Sequence, residues 1–146
     1  MNSRGGLLSD GYKIGRLFKK YGVQAEVAGG QSCSSSCAIA FLGAKRRILS
    51  KNGSLLFHTP YINLKDGNIK CSVRSDQEQL NDYYVEMLKK ENGNIIFDRT
   101  MEYCDKNGGW KINSDAAQIF GISTSKHQKY SSPFYCTKDR CKRYKE

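Results

Sequence analysis

Four short segments carry residue types suited to acyl-transfer chemistry: Asn2-Ser3-Arg4-Gly5-Gly6, Cys33-Ser34-Ser35-Ser36-Cys37, Phe57-His58-Thr59-Pro60, and Asn113 through Ile122. A serine hydroxyl is a weak nucleophile and needs a neighbouring base to take its proton. Histidine is the usual base because it titrates near neutral pH. The chain offers two, His58 and His127. His58 ends the apolar run Leu55-Leu56-Phe57 and precedes Pro60 by two residues, so a strand end holds its ring; His127 sits in a basic tail. A serine at the first turn of a helix gains from the exposed N–H groups and dipole there. An oxyanion needs two such donors. One comes from the residue after the nucleophile, the other from a glycine turn with an unshielded N–H, which Gly5-Gly6 provides.

The elements that must position these residues are legible in the hydrophobic pattern. Leu7, Leu8, Ile14, Leu17 and Phe18 fall on one side of a helix that Gly22 ends. Val23 to Ala28 reads as a short strand, and Gly29-Gly30 breaks it. The Ser/Cys cluster then opens a buried helix over Ala38 to Leu42. Arg47 to Ser50 and Ser54 to His58 read as strands around a turn at Asn52-Gly53. Residues 59 to 73 read as a loop or weak hairpin. Ser75 with Glu78 predicts a capping box for a helix with Leu80, Tyr83, Tyr84, Met87 and Leu88 on its apolar face, stopped by Asn92-Gly93. A second helix is expected from about Ile95 to Asp105. Gly108-Gly109 makes a turn, and Ser114 is expected to cap a helix that runs to Phe120. Helices alternating with short strands imply an α/β domain with a largely parallel sheet.

Taken singly, each feature has an ordinary structural explanation. A serine-rich loop before a helix is usually only a cap, and a histidine after a strand or a Gly-Gly turn is common in any fold. The rest of the composition narrows the classes. The 146 residues suit one domain, and no apolar run is long enough for a membrane helix. Met1 to Gly6 has no basic-then-apolar pattern of a signal peptide. The net charge is +10, and half of that excess lies in residues 124–146, a basic tail read as solvated and flexible. It holds no nucleic-acid motif, so nucleic acid is not an expected partner. Of the six cysteines, none forms a CxxC pair, which leaves no support for structural zinc. Cys136 and Cys141 are a candidate disulfide for an exported protein. Cys33 and Cys37 are open to pairing after export, to packing as small buried hydrophobes or, least favoured because nothing nearby lowers their pKa, to acting as thiol nucleophiles.

The order of the four segments resembles the proteolytic subunit of the Clp protease and, more closely, the Clp-class periplasmic protein group of the Clp/crotonase superfamily. Asn2-Ser3-Arg4-Gly5-Gly6 resembles the family's Asn-Ser-x-Gly-Gly turn, and Cys33 to Cys37 followed by Ala38-Ile39-Ala40-Phe41-Leu42 resembles its Cys-x-Ser-x-Cys and buried helix. Lys45 to Ile48, Leu56 to Pro60, and the closing Asn113 to Ile122 continue the match, which spans residues 2 to about 123. The resemblance implies a ClpP/crotonase-like domain over 1–123, with a mostly parallel sheet and flanking helices. Strands that the family places before the glycine turn are missing, so an N-terminally truncated version is implied. A periplasmic location follows if an upstream signal peptide is missing, and a cytoplasmic one otherwise.

Carried over by residue, Ser35 is the nucleophile, His58 the base, and Gly6 and Ser36 the oxyanion donors. Ser34 is the rival nucleophile. An ungapped match through Gln31 and Gly43 favours Ser34, whereas the two cysteines and the spacing to the histidine favour Ser35. The orienting aspartate of the family falls on Gly109 here; Asp105 stands four residues earlier, and Asp98 is the weaker substitute. The expectation is a peptidase-like serine hydrolase that acts on a peptide or protein substrate, requires no metal or organic cofactor, and self-associates by resemblance. The alternative is a catalytically degenerate peptide- or partner-binding module.

Overall fold

A computed structural model describes residues 1–124, 134–137 and 140–143. Helix α1 (Leu8–Tyr21) is followed by strands β1 (Gln24–Val27) and β2 (Ser32–Ser34) and helix α2 (Ser36–Phe41). Strands β3 (Arg46–Leu49), β4 (Ser54–Phe57), β5 (Tyr61–Asn63) and β6 (Ile69–Cys71) come next. Helices α3 (Glu78–Leu88) and α4 (Lys90–Met101), strand β7 (Trp110–Ile112) and helix α5 (Ser114–Ile119) complete the body. Strands β8 (Phe134–Thr137) and β9 (Arg140–Arg143) form an antiparallel hairpin. The expectation of a flexible tail otherwise falls on residues outside those described.

The pairing is mixed rather than mostly parallel: among the described residues two strand pairs are parallel and three antiparallel. Strand β1 runs parallel to β3, and β2 runs parallel to β4 with Cys33 opposite Leu55. Strand β7 adds antiparallel to β4, with Trp110 opposite Phe57, and Ser3 bridges to Cys33 on the other side of β2. The two strands around Asn52-Gly53 are therefore not partners in a hairpin. Each instead pairs side by side with an earlier strand, β3 with β1 and β4 with β2. Val27, Phe41, Leu55, Phe57, Tyr83, Tyr84, Ile96 and Ile112 form the fully buried centre. Among the described residues, no helix is long and apolar enough to cross a membrane.

Arg47 is a buried cation held without a carboxylate. Its guanidinium donates to the carbonyls of Ile122 (2.5 Å), Ala44 (3.0 Å), Gly121 (3.3 Å) and Leu42 (3.4 Å). It thereby ties the segment after α5 to the end of α2, and burial pushes its pKa down from the usual arginine value.

Three local expectations need correction. Ser75 lies in a 3-10 turn, Arg74–Asp76, and α3 starts at Glu78 with no side-chain cap, so the capping box does not form. Asn92-Gly93 does not stop a helix but lies inside α4; the break falls at Lys89, whose φ is +70°. Gly93 is needed for close helix packing instead, since a β-carbon there would lie 2.6 Å from the Val85 nitrogen. The cap of α5 is Asn113, whose side-chain oxygen accepts from the Ala116 N–H at 2.9 Å, so the capping residue is one earlier than Ser114.

Candidate active site

Strand β2 passes into α2 through a single residue in an unusual conformation. Ser35 has φ +56° and ψ −124°, a region that L-residues rarely occupy and that costs about 1–3 kcal/mol. Its N–H donates to the Leu56 carbonyl at 2.8 Å, one step past the β2–β4 ladder, and its carbonyl accepts from Ile39 at 3.1 Å. The chain is thus held on both sides of a sharp strand-to-helix turn with the serine side chain at its apex. A strained turn of this kind presents a hydroxyl above a sheet. A disulfide between Cys33 and Cys37 spans the turn and is largely buried. Of the alternatives open to these thiols, the structure takes the disulfide.

The glycine turn lies against this apex. Ser3 pairs with β2 in both directions, its N–H donating to Ser32 at 3.0 Å and its carbonyl accepting from Ser34 at 2.9 Å. At Gly5 (φ +98°) a β-carbon would lie 2.6 Å from both the Ser34 oxygen and the Ser35 β-carbon. Only glycine fits there. Gly6 follows beside the start of α2, where a β-carbon would lie 3.7 Å from Ser36 Oγ. Among the described residues, no protein acceptor takes the N–H of Gly6 or of Ser36.

His58 follows the last residue of β4. Its anchor is the next residue: buried Thr59 donates its N–H to the Tyr103 carbonyl at 2.9 Å and its hydroxyl to the Thr100 carbonyl at 3.0 Å. His58 Nδ1 lies 2.9 Å from the Thr59 carbonyl. A carbonyl oxygen only accepts, so Nδ1 carries the proton and Nε2 of the neutral ring is left as the acceptor. Tyr61 packs beside the imidazole with ring centroids 5.3 Å apart.

Ser35 and His58 line two concavities in common. The open cleft is lined by Arg4, Gly5, Gly6, Ser34, Ser35, Leu56, His58, Tyr61 and Lys106 to Gly108. A second, mostly apolar pocket is lined by Ser35 and His58 together with Leu8, Ile39, Phe57, Pro60, Leu80 and Tyr84. Ser35 Oγ makes no hydrogen bond to His58 among the described residues. Ser34 also lines the open cleft with His58; it shares a strand face with Ser32, their hydroxyls 3.4 Å apart, and borders a further groove with Asn2, Ser3 and Arg4.

Among the described residues, no carboxylate is hydrogen-bonded to His58. Asp105 is exposed, and its carboxylate accepts from the Asn107 N–H at 2.9 Å in a local turn. Asp98 is exposed on α4 and ion-paired with Arg74. Residue 109 does lie beside the histidine, since a β-carbon on Gly109 would be 3.1 Å from His58 Cβ. It would also be 2.4 Å from the Phe57 oxygen, which excludes any side chain. The loop that holds Gly109 is tethered to the β5–β6 hairpin by a second disulfide, Cys71–Cys104. That pairing, Tyr61, Lys106 and the apolar pocket carried no motif in the sequence. Only the fold brings them to the site.

No family model and no curated protein sequence matches the chain. Solved structures do match. The 1510-N membrane-bound stomatin-specific protease in complex with a substrate peptide superposes with a TM-score of 0.65 at 15% identity, over 85% of this chain and 57% of that one. A second structure of that protease gives 0.65 at 14%, over 84% and 59%. ClpP1 from Listeria monocytogenes gives 0.56 at 19%, over 87% of this chain and 71% of that one. The fold is therefore the mixed α/β fold of ClpP-type proteases, and the chain spans less than two thirds of the stomatin-specific protease's length.

Proposed function

We propose that this chain is a peptidase-like serine hydrolase with a Ser35–His58 dyad. The observation that carries the reading is Ser35 at φ +56°, strained at the apex of a strand-to-helix turn and wedged between the Gly5-Gly6 turn and the cleft wall that holds His58. Strain of this kind persists only where surrounding structure imposes it, and it concentrates at reacting groups. It also favours Ser35 over Ser34, whose backbone is ordinary strand.

In this reading Ser35 Oγ attacks the carbonyl of a peptide or ester while Nε2 of His58 takes its proton. The N–H groups of Gly6 and Ser36 receive the oxyanion. The imidazolium then returns its proton to the leaving group, and water repeats the sequence on the acyl-enzyme. The Thr59 carbonyl supports the tautomer that an orienting aspartate would otherwise select, but it gives the imidazolium only a dipole rather than a full charge. A slower enzyme is the expected consequence. Self-association of the chain agrees with the exposed apolar residues Leu7, Leu17 and Tyr21 along α1.

A fluorophosphonate probe tests the assignment. The protein should be labelled, and labelling should disappear in Ser35→Ala, weaken strongly in His58→Ala and persist in Ser34→Ala. Labelling that survives in Ser35→Ala would refute the nucleophile. The rival reading, a degenerate peptide-binding module, draws on the lack of a carboxylate on His58; a folded protein that never reacts with the probe would favour it.

A further inference from the structure

Two cations stand at the cleft, and no acid among its lining residues offsets them. Arg4 and Lys106 are the charged residues that line it. They arrive from different elements. Arg4 precedes the glycine that packs on Ser34 and Ser35, whereas Lys106 belongs to the loop whose Gly109 abuts His58. One cation therefore approaches from the serine side and the other from the histidine side. Both side chains are exposed, and among the described residues neither has an ion-pair partner. Lys106 Nζ donates only to the Gly67 carbonyl, at 3.3 Å. The nearby acid in sequence, Asp105, accepts from the Asn107 N–H and sits behind Gly108, so its carboxylate backs the cleft wall without lining it.

Like charges at both ends of a concave wall raise the local concentration of anionic ligands and disfavour cationic ones. We propose that the cleft selects peptide segments in which acidic side chains flank the residue presented to Ser35 and His58. Arg4 and Lys106 are the residues that determine this specificity. The proposal rests on the reading of the cleft as a peptidase site and names its substrate class. The flanking carboxylates decide which segments the cleft takes.

The test measures binding apart from turnover. The Ser35→Ala protein is titrated into labelled, C-terminally amidated peptides that share a central leucine and differ only in flanking Glu, Gln or Lys, followed by fluorescence anisotropy. At low salt the Glu peptide should bind about fivefold tighter than the Gln peptide, the combined worth of two exposed ion pairs, and the Lys peptide should bind least. The difference should close in about 1 M salt, where screening is nearly complete. Adding Arg4→Gln and Lys106→Gln should erase it, with thermal unfolding used to verify that the variant is folded. Equal affinities for all three peptides, no binding of any, or a preference that survives the double substitution would overturn the proposal. A Gln-flanked peptide with a free C-terminal carboxylate that matches the Glu peptide would also overturn it, because the recognised group would then be the chain terminus. Cleavage by the unsubstituted protein is scored separately. Its absence would remove the hydrolase reading and leave the ranking of affinities intact.

Discussion

If Ser35 is held in a costly conformation for the sake of its hydroxyl, then replacing it with glycine should stabilise the protein while abolishing the reaction. The backbone at φ +56°, ψ −124° is the mirror image of an extended conformation, open to glycine and strained for any residue with a β-carbon. Relief of that strain is worth about 1–3 kcal/mol. Glycine loses about 0.5–1 kcal/mol in return, through the greater freedom of the unfolded chain. The hydroxyl itself makes no hydrogen bond among the described residues, so its removal adds no penalty of that kind. Ser35→Ala removes the same hydroxyl but keeps the β-carbon and the strain, and so is the matched control. The glycine variant should exceed the alanine variant by about 1 kcal/mol, which for a chain of this size is a rise of about 3 °C in Tm. Thermal unfolding of the two variants side by side measures the difference, and both should fail to react with a fluorophosphonate. A glycine variant that melts at or below the alanine variant would refute the argument that strain is stored at this turn.

Restoring a carboxylate by Gly109→Asp should fail: the β-carbon would meet the Phe57 oxygen at 2.4 Å at φ +149°, so urea unfolding should show a less stable protein and probe labelling no gain in rate. The two disulfides should separate stability from reactivity. On loop-closure entropy Cys71–Cys104, with 33 residues of separation, is worth about 4 kcal/mol and Cys33–Cys37, with 4, about 2 kcal/mol. Denaturant unfolding of the paired alanine variants should therefore be more sensitive to loss of Cys71–Cys104, while labelling of Ser35 should be slowed more by loss of Cys33–Cys37, which spans its turn. Alkaline stability should decline above about pH 10. Burial raises the phenol of Tyr12 to about 12 and moves those of Tyr83 and Tyr84 up as well. A raised folded pKa leaves this stability intact below the unfolded value and removes it as pH climbs towards the folded one; unfolding monitored between neutral and strongly alkaline pH checks the sign.

What was legible in the sequence divides along a physical line. Local features with a one-residue signature were readable: Gly22 as the left-handed end of α1, the glycine turn at Gly5-Gly6, and a serine cluster opening an apolar helix. Features set by the partner of a segment were not. Asn92-Gly93 has the composition of a helix stop, yet tight packing of α4 on Tyr84 and Val85 demands a glycine inside the helix. The strands around Asn52-Gly53 have hairpin chemistry, yet each finds its partner in an earlier strand. The same distinction applies to the cysteines. Cys33 and Cys37 are near enough in sequence to be weighed as a pair, whereas Cys71 and Cys104 meet only because β6 and the end of α4 close around the same loop.

The orienting group for His58 shows why a search for a third side chain was bound to come up empty. The ClpP-like resemblance directs attention to position 109, and the fold does place that residue against the histidine. The backbone there approaches Phe57 so closely that no side chain can be accommodated. The hydrogen bond that fixes the ring is made instead by the main chain of Thr59. That carbonyl is set by the anchors of its own residue, the N–H on Tyr103 and the hydroxyl on Thr100. Thr100 in turn bonds Tyr84 at 3.0 Å and Ile96 at 2.7 Å, which fastens α3 to α4. The tautomer of the proposed base is thus governed by the packing of a helix pair rather than by an acidic residue. A carbonyl attracts the imidazolium less than a carboxylate would, and Lys106 adds a positive charge to the same cleft. An anion carried in by the substrate would offset both effects, so an enzyme of this construction should depend on the charge of its substrate more than one that carries its own acid.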